Sequence, residues 1–419
     1  MHDSKVRSRL KAQLTKFSSE LCEGLSKPLT KFVSEMLFGI QASQDVKLSN
    51  IARSLKEAIP LIKTENRLSR NLKAEELESE LMRQLVEMGS QRIEMNTVLA
   101  LDLSDIRKEY AQKMEHLATV RDGSTGELHQ GYWLCDVTGA EVHSSEIVPL
   151  YQKLYSVQAE DFTSENAEIL AAIDLVRAHT QGRGVWAIDR GGDRKKLLEA
   201  LLDRGARFVI RSTGRRSIIT RRNLRGSVAE VAGRCRLRHQ ARIIKIENGV
   251  EKTLELRYGA EVVRLPGREE KLLLVVVSGF GQQPLMLLTD VSAARGSSTL
   301  WWVVETYLTR WKIEETFRFI KQSYNLEDIR VLKYQRLKNL VVLVTAAAYF
   351  AATFLGQKMK LRILCEKLLI ISQRFFGIPP FRFYALADGI KTILAQSSPS
   401  PPGQLADSLQ MELFVGYEA

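Results

Sequence analysis

Three carboxylates in this 419-residue chain stand where phosphate chemistry would need them. Asp102 closes the apolar run of NTVLALDLSDI, Asp189 closes that of RGVWAIDRGG, and Glu314 lies in YLTRWKIEETFRFIK, residues 307–321. Acidic groups gathered at strand ends repel one another and are costly to desolvate unless a cation joins them. Hard oxygen ligands with open positions suit Mg²⁺ or Mn²⁺. Two such ions about 4 Å apart activate a water or a 3′-hydroxyl and steady the leaving oxygen of a phosphodiester. Taken singly, each aspartate is more commonly a turn or cap residue.

Glu314 has company. At about 100° per residue, Tyr307, Arg310, Glu314 and Lys321 fall inside a wedge of roughly 60°. Leu308, Trp311 and Phe319 flank that wedge on one side, and Ile313, Phe317 and Ile320 on the other. The spacing predicts one helix whose polar seam is enclosed by core, the reverse of an ordinary surface helix. A buried ion-pair network fits the same spacing.

The elements that must position these residues follow from the change in apolar period. Residues 1–92 read as helices: Val6 to Glu23, Pro28 to Ile40, Leu48 to Leu55 and Ala74 to Glu87, with Ser49 opening SNIARSLKEAI and KTENRLSRNL following Pro60. Two short Lys/Arg-rich helices fit a helix-turn-helix DNA reader and fit equally a small bundle with a solvated basic rim. From Asn96 the period becomes two. Strands at NTVLALDLSDI, GYWLCDV and GAEVHSSEIVPL precede a helix from Ser164 to His179. The strand of Asp189, a helix from Asp193 to Arg204 ended by Gly205, and the strand ARFVIRST follow. Three strands, a helix, a strand, a helix and a strand is the order of an RNase H-like α/β domain, in which the first and fourth strand ends lie side by side.

The predicted organisation is a helical domain at 1–92, a candidate DNA-binding domain, and the first part of the core at 93–212. A β-rich insertion subdomain at 213–297, the rest of the core with the Glu helix at 298–356, and C-terminal helices with a flexible tail at 357–419 complete it. The insertion carries Arg215, Arg216, Arg221, Arg222, Arg225, Arg234, Arg236, Arg238 and Arg242, either a phosphate-contacting surface or a solvated face. The tail begins at the Pro/Ser-rich SSPSPPG.

A formal charge of +12 with 26% charged residues favours polyanionic partners, nucleic acid first. Four dispersed cysteines form neither a disulfide framework nor a zinc site, and the six histidines show no ligand spacing. The charged N-terminus, with no apolar core of signal-peptide length, points to a reducing cytoplasm. The apolar run 340–355 is shorter than a bilayer span and reads as a buried helix packed on a sheet, with no membrane partner. Trp301 and Trp302 read as core anchors of the Glu helix.

Tyr307, Arg310, Glu314 and Lys321 reproduce the Tyr-x2-Arg-x3-Glu-x6-Lys signature, and the chain resembles DDE transposases of the insertion-sequence-four family from about 96 to 340. The resemblance implies a metal-dependent enzyme that hydrolyses the phosphodiester at transposon ends and transfers the 3′-OH strand into target DNA. Asp102, Asp189 and Glu314 would be its catalytic and metal-binding triad for two Mg²⁺ or Mn²⁺ ions. Tyr307, Arg310, Lys321, Arg190 and Arg211 would contact DNA phosphates. Its partners would be double-stranded DNA, as terminal inverted repeats and target, and a second copy in a homodimer. Asp193 closes the Asp-Arg-x-x-Asp motif, and Asp105 reads as a cap or a supporting carboxylate. Gly191 and Gly192 depart from the polar residues of some relatives and imply a tighter turn. On PLMLLTD, where hairpin-forming relatives place a base wedge, Met286 is the candidate. Two other readings share these residues: a nuclease of the same core without strand transfer, and a catalytically inactive DNA-binding descendant.

Overall fold

The computed structural model describes residues 3–123, 125–247, 250–291, 296–356, 364–369 and 382–399. Five helices lead the chain: α1 (Asp3–Leu21), α2 (Lys27–Ser43), α3 (Leu48–Leu55), α4 (Leu61–Asn71) and α5 (Leu77–Ser90). Lys47 rather than Ser49 precedes α3, without a side-chain cap. Gly39 of α2 lets α3 approach closely, because a Cβ there would stand 2.4 Å from Ile51 Cγ2. Arg67 of α4 spends its charge inside this group, on Glu35 and on Glu57 at 2.7 Å.

The sheet then begins with β1 (Val98–Arg107), β2 (Ala118–Arg121), β3 (Leu128–Ala140) and β4 (Ile147–Tyr155). Next come α6 (Glu165–Thr180), β5 (Val185–Ile188), α7 (Lys195–Asp203) and β6 (Phe208–Arg211). Ser164 caps α6 by accepting from the Ala167 N–H, as its position predicts. β3 is antiparallel to β1 and β4, whereas β1, β5 and β6 run parallel. Side by side, they stand in the order β4-β3-β1-β5-β6, and the short β2 shares an edge of β3. VWAI of β5 is apolar throughout because parallel strands are buried on both faces.

The region after β6 holds β7 (Ser217–Thr220), β8 (Arg225–Ser227), α8 (Val228–Arg234), β9 (His239–Glu247), β10 (Val250–Arg264), β11 (Leu272–Ser278) and β12 (Leu285–Thr289). β12 pairs antiparallel with β6, so these strands prolong the same sheet to twelve. The chain finishes with α9 (Ser297–Thr309), α10 (Lys312–Tyr324), α11 (Tyr334–Ala352) and α12 (Phe383–Leu394). Of LRILCEKLLIISQRFF only 364–369 are described, as helix, and the tail from residue 400 lies outside the described residues.

The helix expected over 307–321 is two helices. Around Arg310 and Trp311 the bonds tighten to i→i+3, from Arg310 N to Tyr307 O (3.1 Å) and from Glu314 N to Trp311 O (3.0 Å). A tighter turn advances about 120° per residue. It rolls Trp311 out of its expected core place, to 46% exposure. Trp301 stays against the core, its ring 5.5 Å from Tyr258.

The apolar run at 340–355 lies in the buried α11 as far as Ala352, with Phe354–Gly356 forming a 3₁₀ turn after it, and α11 packs against β4 and α5. Gln41 of α2 donates to Ala347 O at 2.7 Å, and Thr345 donates to Gln152 of β4 at 2.8 Å. The leading helices are thereby tied to the sheet through α11. Among the described residues no helix is long and apolar enough to cross a membrane.

Candidate active site

The parallel ladder between β1 and β5 ends at the pair Leu101 and Ile188. Asp102 and Asp189 are the next residue on each strand. β1 does not stop at Asp102, where its apolar run ends. It continues to Arg107 because the long β3 keeps pairing with it, Asp102 opposite Asp136. Asp189 instead leaves its strand and caps a single 3₁₀ turn, Arg190–Gly192, accepting from Gly191 N–H at 2.6 Å. This is the tight turn that the two glycines imply. A Cβ at Gly191 would meet Asp189 Oδ1 at 2.9 Å, and one at Gly192 would meet Ile188 at 2.4 Å.

Glu314 sits in the first turn of α10 and opens onto the same space. Asp102, Asp189, Glu314, Arg310, Lys321 and Asp105 all line one cavity of about 820 Å³. Arg107, Arg121, Asp122 and Trp133 line it too and were not anticipated. Arg107 and Trp133 come from strand positions, and Arg121 and Asp122 from the β2 hairpin. No local motif marks them; only the β1–β3–β2 pairing brings them in.

Arg310 donates to Asp102 Oδ2 at 3.1 Å and to Glu314 Oε1 at 2.7 Å, and its guanidinium lies 5.9 Å from the Tyr307 ring centre. Burial pushes the Asp102 carboxyl up to about 6; Arg310 pulls it back, while Asp189 and Glu314 add to the rise. Burial works against the charge on Arg310, but Asp102, Tyr307 and Glu314 outweigh it and hold its proton more firmly. Lys321 reaches Glu327 at 3.1 Å. Asp105 lies within β1 and caps no helix. Burial raises its carboxyl despite the pull of Lys321. Asp136 is buried, accepts from Gln152 at 2.6 Å and has a second oxygen without a hydrogen-bond partner among the described residues. Burial raises it well above the usual carboxylate range.

Among the described residues no three His, Cys, Asp or Glu stand close enough together to hold a metal ion. Arg310 occupies the space between Asp102 and Glu314. The donor chemistry nonetheless fits a hard divalent cation: oxygen ligands only, with Asp102 made reluctant to ionise by burial and two neighbouring carboxylates.

Other expected site residues are spread more widely. Tyr307 is buried at the end of α9. Arg190 is exposed on the turn after Asp189, and Arg211 is half-buried at the end of β6. Met286 on β12 pairs with Val276 and packs its methyl end near Gly214, where an added Cβ would lie 3.1 Å from it. Arg190, Arg211 and Met286 are not among the residues lining the carboxylate cavity. Asp193 is a lock. It accepts from the Thr213 N–H (2.8 Å), the Ser212 hydroxyl (2.9 Å) and Arg216, fastening the segment after β6 to the turn after β5. Of the nine arginines noted in the insertion, Arg216 alone is not exposed.

Residues 159–350 match the family model described as the transposase DDE domain. The matched region contains Asp189 and Glu314 and begins after Asp102. No curated protein matches the chain. Among solved structures, a cryo-EM structure of a piggyBac transposase synaptic complex with hairpin DNA is similar at 10% identity and a TM-score of 0.45. The likeness covers 96% of this chain and 86% of that one, and is too distant to bear on fold or function. Over that stretch, a little under half of the chain, the similarity is to a transposase DDE domain, and it supports an enzyme of DNA transposition that cleaves DNA and transfers the cleaved strand.

Proposed function

We propose that Asp102, Asp189 and Glu314 are the catalytic triad of an RNase H-like core of the insertion-sequence-four type. One observation carries the reading: all three carboxylates and four cationic side chains line a single cavity just past the end of the parallel β1–β5 ladder. The strand order β4-β3-β1-β5-β6 supports the RNase H-like assignment. In this reading 93–212 and 298–356 form the core, 213–297 is its insertion, 1–92 is a helical DNA-binding unit, and 357–419 is a C-terminal extension.

Two Mg²⁺ or Mn²⁺ ions bound by Asp102, Asp189 and Glu314 would supply Lewis-acid activation of the nucleophile and leaving oxygen. Arg310 exchanges its carboxylate partners for a DNA phosphate, freeing Asp102 and Glu314 as ligands. Lys321, about two turns beyond Glu314 along α10, holds a neighbouring phosphate, and Tyr307 donates to another phosphate oxygen. In the first step a water oxygen bonds to phosphorus as the 3′-oxygen departs and takes up a proton. In the second, that 3′-hydroxyl loses its proton and attacks a target phosphodiester, expelling the target 3′-oxygen. Each step makes one P–O bond and breaks one.

Arg190 and Arg211 hold flanking phosphates, and Met286 is the candidate wedge beside an extruded base. The substrates are terminal inverted repeats and target duplex, met at a bacterial nucleoid, and two ends call for a homodimer. The test supplies a pre-cleaved 3′-OH end, a target plasmid and Mg²⁺. Joined product is expected, whereas cleavage without joining would identify a nuclease instead.

A further inference from the structure

Beside the carboxylate cavity lies a second one, of about 680 Å³, between the β1–β2 loop and the segment joining α10 to α11. Its walls are pinned. Lys108 is buried and donates to the carbonyls of Glu327 and of Ile329, the latter at 3.1 Å. Glu115 N–H donates to Leu332 O at 2.9 Å, and its carboxylate takes Lys333 at 2.5 Å. Burial lowers the Lys108 ammonium to about 8, against Glu327 and Asp328.

On this rigid frame Tyr110 stands 89% exposed, with Leu332 beside it at 56%. Neither side chain serves the core. The acidic groups of the lining are already matched: Glu109 with Arg107 (2.9 Å), Glu327 with Lys321 (3.1 Å) and Asp328 with Lys47. Lys113 and Arg330 are exposed, and neither closes a salt bridge among the described residues, although Arg330 joins Lys47 in lowering the Asp328 carboxyl. The free charge of the cavity is therefore positive. Arg107 and Glu327 line both cavities, so the second opens directly from the first.

We propose that this second cavity binds unpaired nucleotides next to the phosphodiester held at the carboxylates. A base stacks on Tyr110, and Arg330 and Lys113 pair with its phosphates. An exposed ring for stacking with adjacent cations is the usual combination for single-stranded nucleic acid, and the volume suits a ligand of nucleotide size. The inference rests on the DNA-cleaving reading of the first cavity and adds the strand that reading leaves unplaced.

The test uses the full chain with Ca²⁺ in place of Mg²⁺ and fluorescence anisotropy on two probes: a blunt 20-base-pair duplex and the same duplex with four unpaired thymidines. The parent should prefer the overhang by about fivefold or more, the scale of one stacked base. Tyr110→Ala should erase the preference and keep blunt-duplex binding. Tyr110→Trp should restore it, and Lys113→Ala with Arg330→Ala should weaken overhang binding while leaving the thermal melt unchanged. Equal binding of both probes by the parent, or a preference surviving Tyr110→Ala, would overturn the inference alone. Binding of neither probe would overturn the DNA-acting reading together with it.

Discussion

Arg310 offers the sharpest physical test of the acidic cluster. Its side chain is 13% exposed and bridges Asp102 (23% exposed) and Glu314 (55% exposed). Arg310→Met keeps the bulk and removes the charge. Breaking one side of a buried pair costs about 3–5 kcal/mol, and the partial exposure of Asp102 brings this nearer to about 2 kcal/mol. The solvated Glu314 arm adds only a few tenths, roughly the worth of an exposed pair. With an unfolding entropy near 2.1 cal/mol/K per residue, about 2 kcal/mol lowers the melting temperature of a chain this long by about 2–3 °C if it unfolds as one unit. The assay is calorimetry in EDTA and in millimolar Mg²⁺. The variant should melt lower than the parent in EDTA, and Mg²⁺ should raise it by more, because unneutralised carboxylates bind the ion with no guanidinium to displace. Equal melting in EDTA, or an equal Mg²⁺ increment, would refute the argument that these carboxylates compete for one cation.

Two further outcomes rest on separate contacts. Burial raises the Asp193 carboxyl, but the Thr213 N–H, Arg216 and Ser212 outweigh it and leave it below the usual value of 3.8. The unfolded chain therefore takes up the proton first. The Asp193 contribution is complete above 3.8 and is lost as pH falls through the lower folded value. Asp193→Asn should cost about 3 kcal/mol at pH 7 by urea denaturation, and between about pH 5 and pH 3 it should lose less further stability than the parent; parallel losses would contradict the lock. Gly39→Ala should cost about 1–3 kcal/mol by overpacking against Ile51, with Ile51→Ala recovering part of it in the double variant; additive losses would show that the α2–α3 contact is not the cause.

Much of this site was legible because its signals are local. Asp102 and Asp189 each follow an apolar run, and parallel pairing of those runs brings the two residues level. The face shared by Tyr307, Arg310, Glu314 and Lys321 could be counted off a helix. The count assumed a uniform 100° step, so it missed the tight turn at Arg310 that separates α9 from α10 and turns Trp311 outward. The strand read at NTVLALDLSDI ends within one residue of β1, and it is pairing with β3, not apolarity, that carries β1 past Asp102 to Arg107. Lys108, Arg121 and Trp133 carry no spacing signal. They reach the site region through contacts between segments far apart in sequence. The arginines of the insertion were visible as a group, but that Arg216 serves Asp193 rather than solvent depends on where β6 delivers the next loop.

The central claim is that three carboxylates act together. Its direct test compares Mg²⁺-dependent cleavage of a duplex carrying the DNA sequence that flanks the gene, by the parent and by Asp102→Asn, Asp189→Asn and Glu314→Gln. Each variant should bind the DNA as the parent does and cleave at least about a hundredfold more slowly, the scale of losing one electrostatic contact to the transition state. Parent-like cleavage by any one of the three would contradict the account.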